Sequence, residues 1–460
     1  MSGALWLSLA IFVIPTFAAD DGVTAFVGAT IIDATDREPL INGVVVVEGP
    51  RIVAVGPSGQ VKVPAGGRVV DARGKWIVPG LIDAHVHFFQ SGSLYTRPDI
   101  IDLRRIRPYL EEIAWIRQRI PQTLARYLAS GVTSVADVAG PRWTFEVREQ
   151  AQLQSTAPRV ALSGPGLAPL MPREWVTEDP PMTAVASPEQ ARVAVRNLLE
   201  AQPDLLKIWF PLFRGMDLEQ EMRWVKVAID ESHAHNLRVG VHATQLALAR
   251  RMVEAGADIL VHSVDDELLD EDFLRLLKAR GVIYIPTLVV REGYQEVLGN
   301  NVTLSAIERQ VGDPQAIATF GDLRRWYPEW PQGRVRGPGA VMLKNLKRLH
   351  DYGITVAAGS DAGNIGTLHG PALHRELELM ARAGLTPHEV LITATRGGAR
   401  LLGRESELGT IEVGKLADFL ILDANPLEDI RNTHRIHRVV KDGVLFDPDE
   451  ILNELQRNRP

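Results

Sequence analysis

Six side chains of the kinds that bind metal ions stand at or near the ends of short apolar runs. Two of them, His85 and His87, are two positions apart in one run, and residues i and i+2 of a strand share a face. Burying several such groups together is costly unless a cation compensates them. The pattern therefore predicts a divalent-metal site that contains all six residues: His85, His87, Lys207, His242, His262 and Asp361.

Each of these residues also has a structural interpretation when it is taken alone. A single histidine at a strand end is usually a hydrogen-bonded structural group, a single buried lysine an ion-pair partner, and a single aspartate a helix cap. The coincidence of four histidines, one lysine and one aspartate at such positions favours the metal site over these alternatives.

The elements that carry these residues follow the pattern of a (β/α)8 TIM barrel. Eight short apolar runs alternate with stretches of helical periodicity, and continuous apolar strands are typical of a parallel sheet covered on both faces. The runs are residues 76–87, 132–138, 159–165, 205–210, 238–243, 259–263, 282–288 and 355–361. Because active sites of such barrels lie at the carboxyl ends of the strands, the barrel would bring the six side chains together.

The sequence pattern at both ends of the chain differs from that of the middle. Short β-branched runs separated by Gly, Pro and Asp predict a small β-sandwich domain assembled from residues 20–75 and 405–450. The barrel then spans residues 76–404, and residues 451–460 form a C-terminal tail. Residues 291–337 show no regular apolar pattern, and we expect an irregular loop over the barrel mouth there.

The first 19 residues predict a secretory signal peptide. An apolar run too short for a comfortable bilayer span is followed by the small residues Thr16 and Ala18. The predicted location is therefore outside the cell or in the periplasm rather than in the cytoplasm, with no stable membrane span after cleavage. A short membrane anchor is the alternative.

Composition excludes several classes of function for this 460-residue chain. With 50 Lys and Arg against 57 Asp and Glu, the net charge is −7, and no basic surface for nucleic acid is expected. The chain has no cysteine, so any metal must be held by histidine, carboxylate or a modified lysine. The expected partner is a small-molecule amide or peptide substrate, and a homo-oligomer is left open.

Two longer segments resemble a known family. Residues 74–87 (GKWIVPGLIDAHVH) resemble the first-strand signature of the amidohydrolase superfamily, and residues 409–423 (GTIEVGKLADFLILD) are similar to its returning sandwich segment. The segments LHREL (373–377) and AGLTP (383–387) resemble the imidazolonepropionase-like branch, which includes Xaa-Pro and Xaa-Arg dipeptidases. The resemblance implies one ion held by His85, His87 and Asp361 and a second held by His242 and His262.

The resemblance further implies that Lys207 bridges the two ions as a carbamate formed with carbon dioxide. An unmodified, positively charged Lys207 beside two dications would be strongly repelled, whereas a carbamate offers two anionic oxygens. Zinc suits the imidazole and carboxylate ligands, although manganese and iron are also compatible. We therefore expect two Zn²⁺ ions per chain.

The implied activity is hydrolysis of a carbon–nitrogen bond in an amide, cyclic amide or dipeptide. A metal-activated hydroxide would attack the carbonyl, and Asp361 would carry the proton from water to the leaving nitrogen. Arg291 and Tyr294 are expected to bind a substrate carboxylate, and His369 is a further candidate for substrate contact.

Three alternatives stay open. An imidazolonepropionase would open a cyclic amide with one metal ion, and a lactone or phosphotriester hydrolase would use the same site. A non-catalytic metal-binding scaffold is the alternative from another class. The presence of all six candidate ligands favours an enzyme.

Overall fold

The computed structural model describes residues 22–212, 215–330 and 336–457. The predicted signal peptide, residues 1–19, lies outside the described residues. Within the described part of the chain, no helix combines the length and the apolar character that a membrane span requires.

Eighteen strands occur among the described residues: β1 Val23–Ile31, β2 Leu40–Glu48, β3 Arg51–Pro57, β4 Arg68–Asp71, β5 Trp76–Pro79, β6 Leu81–Val86, β7 Val132–Asp137, β8 Arg159–Leu162, β9 Gly166–Ala168, β10 Met182–Ala184, β11 Leu206–Trp209, β12 Val239–His242, β13 Ile259–Val261, β14 Ile283–Ile285, β15 Thr355–Val356, β16 Phe419–Leu422, β17 Ile436–Lys441 and β18 Val444–Phe446.

The α-helices in the same described ranges are α1 Tyr109–Gln118, α2 Ile120–Ala129, α3 Thr144–Leu153, α4 Pro188–Leu199, α5 Leu218–Ala234, α6 Leu246–Ala255, α7 Glu271–Arg280, α8 Leu288–Leu298, α9 Ala306–Val311, α10 Pro314–Ala318, α11 Asp322–Trp326, α12 Ala340–Asp351, α13 Ala372–Arg382, α14 Pro387–Ile392, α15 Gly398–Leu402 and α16 Pro448–Arg457.

The middle of the chain is a mixed α/β structure with parallel strands, as the alternating pattern predicts. Strands β6, β7 and β8 form one parallel ladder, and the order β10-β9-β11-β12-β13-β14-β15 forms a second. Backbone hydrogen bonds join their edges: Ala84 donates to Ala358 O over 2.9 Å, and Asp204 donates to Leu162 O over 2.8 Å. The ladders themselves do not close into a single eight-stranded sheet among the described residues.

The strands and helices of this middle region form where their apolar residues can be buried. Every residue of β7 is buried. Val135 belongs to an apolar cluster with Leu128 of α2, and the next residue, Ala136, belongs to a second cluster with Ala84 and Ile259 of other strands. Helix α6 buries Leu248, Ala249, Met252 and Val253, which recur at helical spacing along one face. It ends at Gly256, whose φ of +114° is a left-handed conformation that glycine adopts without strain.

The strand predicted over residues 76–87 is in fact two strands, β5 and β6, which belong to different sheets. The break falls at Gly80, whose N–H donates to Asp418 O over 2.9 Å. A side chain there would place its Cβ 2.3 Å from Oγ1 of Thr133, so the close passage between the sheets requires glycine. The uninterrupted apolar run concealed this change of sheet.

Strands from both ends of the chain form one further sheet, which also includes β5. Its order is β18-β17-β16-β5-β1-β2-β3, and β4 also pairs with β1. The Phe26 and Phe419 rings, from opposite ends of the chain, meet edge to face with centroids 5.0 Å apart. All eight strands belong to one hydrogen-bonded sheet, and its arrangement as a sandwich stays a prediction.

The prediction of an irregular loop over residues 291–337 is wrong for most of that segment. Its described part contains most of α8 and all of α9, α10 and α11. Helix α9 begins with a capping box, in which Glu308 N–H donates to Ser305 Oγ and Ser305 N–H donates to a Glu308 carboxylate oxygen. The Ser-x-x-Glu spacing was visible in the sequence, but the helices are too short to show a clear apolar period.

Candidate metal centre and active-site cavity

Three predicted ligands converge on one point. The Nε2 atoms of His85 and His87 lie 3.2 Å apart, and they lie 3.4 and 3.0 Å from Oδ1 of Asp361. The ligand atoms of these three residues are all within 4.8 Å of one another. Two imidazoles and one carboxylate at such distances are an arrangement that can hold a divalent cation.

Local backbone geometry holds Asp361 against the two histidines. Asp361 has a φ of +58°, a strained conformation for a residue with a side chain, and its N–H donates to His85 O over 2.7 Å. The preceding Ser360 donates its N–H and its hydroxyl to the buried carboxylate of Asp83 over 2.9 and 2.5 Å. The first strand of the parallel ladder therefore fixes the turn that presents Asp361.

His242 and His262 complete the imidazole cluster. Their ring centroids lie 4.5 Å apart, and the centroid of His262 lies 5.1 Å from that of His85. His262 has a φ of +73° and shares a 2.7 Å hydrogen bond between its Nδ1 and the hydroxyl of Thr287. Thr287 is also left-handed, with a φ of +46°, so three strained residues surround the candidate centre.

Lys207 lies buried in β11, and its Nζ has no hydrogen-bond partner among the described residues. Burial lowers the pKa of its amine to about 7. The amine is therefore partly neutral near neutral pH. A neutral amine is the form that can add carbon dioxide, so Lys207 has the protonation state that a carbamate requires.

Burial also keeps three of the imidazoles, those of His85, His242 and His262, neutral. Burial, followed by the positive charge of Lys207, lowers the pKa of His242 to about 3. Burial is also the largest cause of the lowered pKa values of His85 and His262. Neutral imidazoles offer free lone pairs to a metal ion.

The donor atoms of the six candidate ligands are compatible with bound metal ions. Nδ1 of His242 and Nζ of Lys207 are buried without a hydrogen-bond partner in the described structure, which is unusual for polar atoms. Four imidazoles, a carboxylate and a partly neutral amine around one space suit cations and have no comparable purpose in an apolar core.

The candidate centre opens into a cavity of about 360 Å³. Its lining contains five of the six predicted ligands together with both predicted substrate residues: His87, Lys207, His242, His262, Asp361, Arg291 and Tyr294. His85 lies beneath this surface, fully buried. The volume is that of a small-molecule site.

His369 is placed differently from the other predicted site residues. It does not belong to the cavity lining in the described structure, and its Nε2 shares a 3.1 Å hydrogen bond with the backbone oxygen of His87. Its ring stacks parallel to Phe88 with centroids 6.1 Å apart. The structure therefore places His369 behind His87, on the side away from the cavity.

Two residues near the cavity were missed by the sequence analysis. Arg97 lines the cavity and donates to Asp99, to the hydroxyl of Tyr294 over 2.8 Å and to Asn364. No signal marked it, because its segment has no regular pattern. Glu376 is fully buried behind α8, and its position among apolar residues of α13 was a signal that could have been used.

Comparisons with known proteins agree with the resemblance. The model of the Amidohydrolase family matches residues 76–446. An imidazolonepropionase from Symbiobacterium thermophilum is 27% identical over 405 residues, which cover 84% of this chain and 85% of that protein. These matches confirm the predicted family.

Solved structures are similar over almost the whole chain. A putative prolidase from Bifidobacterium longum has a TM-score of 0.69 and 26% identity, and the match covers 95% of this chain and 99% of that chain. A Xaa-Pro dipeptidase with methionine bound in its active site has a TM-score of 0.70 and 23% identity, with 92% and 100% of the two chains covered. The second match shows the fold alone.

Proposed function

The chain belongs to the amidohydrolase family and is a hydrolase of carbon–nitrogen bonds, and we propose that its reaction depends on divalent metal ions bound at the floor of the cavity. The observation that carries the proposal is the convergence of His85, His87 and Asp361 beside the buried, unpaired amine of Lys207. The substrate bond is an amide, a cyclic amide or a dipeptide bond.

The proposed centre contains two zinc ions. His85, His87 and Asp361 would hold one ion, and His242 and His262 would hold the other. The lowered pKa of the amine that reaches from β11 supports its conversion to a carbamate, which would bridge the two ions. When bound, the ions would polarise the substrate carbonyl and lower the pKa of a water molecule.

Other steps of the proposed reaction would be performed by side chains of the protein. The Asp361 carboxylate faces the cavity and would accept a proton from water and return it to the leaving nitrogen. Arg291 and Tyr294 would hold a substrate carboxylate at the cavity wall. Substrate contact by His369 stays a prediction, although its Nε2 shares a hydrogen bond with the backbone oxygen of His87 and the residue does not line the cavity.

We propose the same larger organisation that the sequence predicts. The eight strands β6, β7, β8 and β11 to β15 would close as a (β/α)8 barrel within residues 76–404, and the composite sheet, which also includes β5, would fold as a β-sandwich from residues 20–75 and 405–450. Residues 451–460 would be the C-terminal tail. Removal of residues 1–19 would leave a secreted or periplasmic enzyme.

A second candidate is opening of a cyclic amide with one metal ion. It is favoured by the similarity to an imidazolonepropionase. The buried amine of Lys207 argues for the binuclear alternative, because a single-ion site does not need a bridging carbamate. Lactone or phosphotriester hydrolysis stays open, since the same donor set serves those reactions.

The proposed function is tested by metal-dependent turnover. Purified protein is assayed on a panel of N-acyl amino acids, dipeptides and cyclic amides, then treated with a chelator and reconstituted with zinc in the presence of bicarbonate. We expect hydrolysis that is lost with the chelator and restored by the metal. Full activity of metal-free protein would contradict the proposal, and metal binding without turnover of any compound would favour a scaffold.

A further inference from the structure

One side of the cavity is an aromatic wall, formed by Phe89, Trp175 and Trp209. The two tryptophan rings have centroids 5.6 Å apart, and Phe89 meets Trp175 edge to face at 6.0 Å. The aromatic wall adjoins the candidate ligands. The ring centroids of Phe89 and His87 lie 5.5 Å apart, and those of Trp209 and His242 lie 6.4 Å apart. An aromatic or other apolar group of a substrate would bury its surface here while its carbonyl faced the centre.

The aromatic wall also contains one unsatisfied donor. Trp175 is 2% exposed, and its indole N–H has no hydrogen-bond partner among the described residues. Indole N–H groups usually find an acceptor when they are buried. Trp175 itself borders the cavity, so this donor lies near the space that a substrate would occupy.

Two arginines bring positive charge to the cavity: Arg97, whose guanidinium carbon lies 5.2 Å from the centroid of the Trp175 ring, and Arg291, which lies away from Trp209. Arg291 and Tyr294 lie on α8, which follows β14, whereas Trp209 ends β11, and β12 and β13 separate these two strands. Arg291 contacts Asp265 through one terminal nitrogen, and its side chain is 40% exposed at the cavity wall. Its guanidinium therefore keeps donors for a ligand.

The cavity lining offers almost no acidic partner for a positively charged group of a substrate. Among the described residues of its lining, Asp361 is the one carboxylate, and it belongs to the candidate centre. The acidic partners of the two cavity arginines, Asp99 and Asp265, are not part of the lining. A substrate ammonium would meet cations at the centre and two guanidiniums at the wall.

From these observations we infer that the substrate is an N-acyl amino acid with an aromatic or large apolar acyl group, a free carboxylate and no free amine. This inference rests on the proposed amide hydrolysis at the same centre. The acyl group lies on the aromatic wall, the carboxylate pairs with Arg291, and the scissile amide lies between them over the centre. The chain therefore selects against dipeptides with a free amino terminus and against amides without a carboxylate.

Three matched compounds test the inference on the zinc- and bicarbonate-loaded enzyme. Phenylacetyl-L-leucine has all the required groups, L-phenylglycyl-L-leucine adds one amine, and N-isopentyl phenylacetamide removes the carboxylate. We expect kcat/KM to fall by about 10- to 100-fold for each of the two analogues, which is the size of one charge-assisted contact. Acetyl-L-leucine, which lacks the aromatic ring, should also be a poorer substrate than phenylacetyl-L-leucine.

Variants connect each preference to its side of the cavity. Arg291→Met should narrow the ratio of kcat/KM between phenylacetyl-L-leucine and N-isopentyl phenylacetamide. Trp209→Leu should narrow the ratio between phenylacetyl-L-leucine and acetyl-L-leucine. Arg275→Met is the matched control, since Arg275 is a surface arginine of α7 that pairs with Asp272. It should leave both ratios unchanged.

The outcomes separate the inference from the proposed function. Equal hydrolysis of the three matched compounds, or preference for the free dipeptide, would overturn the inference and leave an amide hydrolase. Turnover of cyclic amides alone would do the same. Metal-loaded enzyme that hydrolyses no compound of either panel would overturn both.

Discussion

At the scale of single residues, burial determines the chemistry of the candidate centre. Burial lowers the pKa values of His85, His242 and His262, so these imidazoles are neutral rather than charged at neutral pH. Asp361 differs from them, because it is a carboxylate whose Oδ1 lies within 3.4 Å of two imidazole nitrogens. It is therefore the group best placed to bind a cation and to move a proton.

Asp361→Asn should separate these two roles. The amide keeps the shape of the side chain but cannot accept and return a proton, so kcat should fall by about 100-fold or more. Bound metal, measured on the same preparation, should fall far less than kcat. Asp351→Asn is a suitable control, because Asp351 lies at the surface and pairs with Lys347. Unchanged kcat in Asp361→Asn would contradict a proton-transfer role.

At the scale of elements, helix α8 carries the predicted substrate residues, and its start is fixed by a buried carboxylate. Glu376 on α13 accepts the N–H groups of Leu288 and Val289 over 3.0 and 2.7 Å. These are the first backbone donors of α8, which a helix cannot satisfy internally. Because Thr287 directly precedes the helix and contacts His262, Glu376 links α13 to the start of α8 and, through Thr287, to His262.

The titration of Glu376 gives a pH-dependent test of this link. Burial raises the pKa of Glu376 from its ordinary value of 4.5 to about 8, so the folded state holds more protons than the unfolded state between these values. The stability that protonated Glu376 contributes is therefore fully present below pH 4.5 and is lost as the pH rises towards 8. The free energy of unfolding falls by at most about 1.4 kcal/mol per pH unit in this range.

Glu376→Gln removes that titration. Chemical denaturation at pH 5 and pH 8 gives the free energy of unfolding of both proteins. The native value minus the variant value should be smaller, or reversed in sign, at pH 8. Glu378→Gln serves as the control, because Glu378 lies on the same helix with a 31% exposed side chain. A difference in unfolding free energy that is constant across this range would contradict the raised pKa.

At the scale of the whole molecule, the sequence predicts the alternation of strands and helices and the positions of the candidate ligands. This is possible because each ligand lies in or near a short apolar run whose burial specifies a strand, as for Lys207 in β11 and His242 at the end of β12. The joining of both chain ends in one sheet is also predictable, from their β-branched runs.

Features that depend on long-range packing are not predictable in this way. The change of sheet at Gly80 depends on Thr133, more than 50 residues away in the chain. The role of Arg97 depends on Tyr294 and Asn364, which reach it only after folding. His369 follows β15, yet it packs on Phe88 and its Nε2 shares a hydrogen bond with the backbone oxygen of His87.

The most direct test of the binuclear centre is the metal content of the whole protein. It is measured by inductively coupled plasma mass spectrometry on the native protein and on the Lys207→Met variant. We predict two zinc ions per native chain after loading with zinc and bicarbonate, and one or fewer in the variant, because the bridging carbamate is lost. Lys226→Met, a surface lysine of α5 that pairs with Asp230, should keep both ions. A native chain that binds no metal, or a Lys207→Met variant that still binds two ions, would contradict this centre.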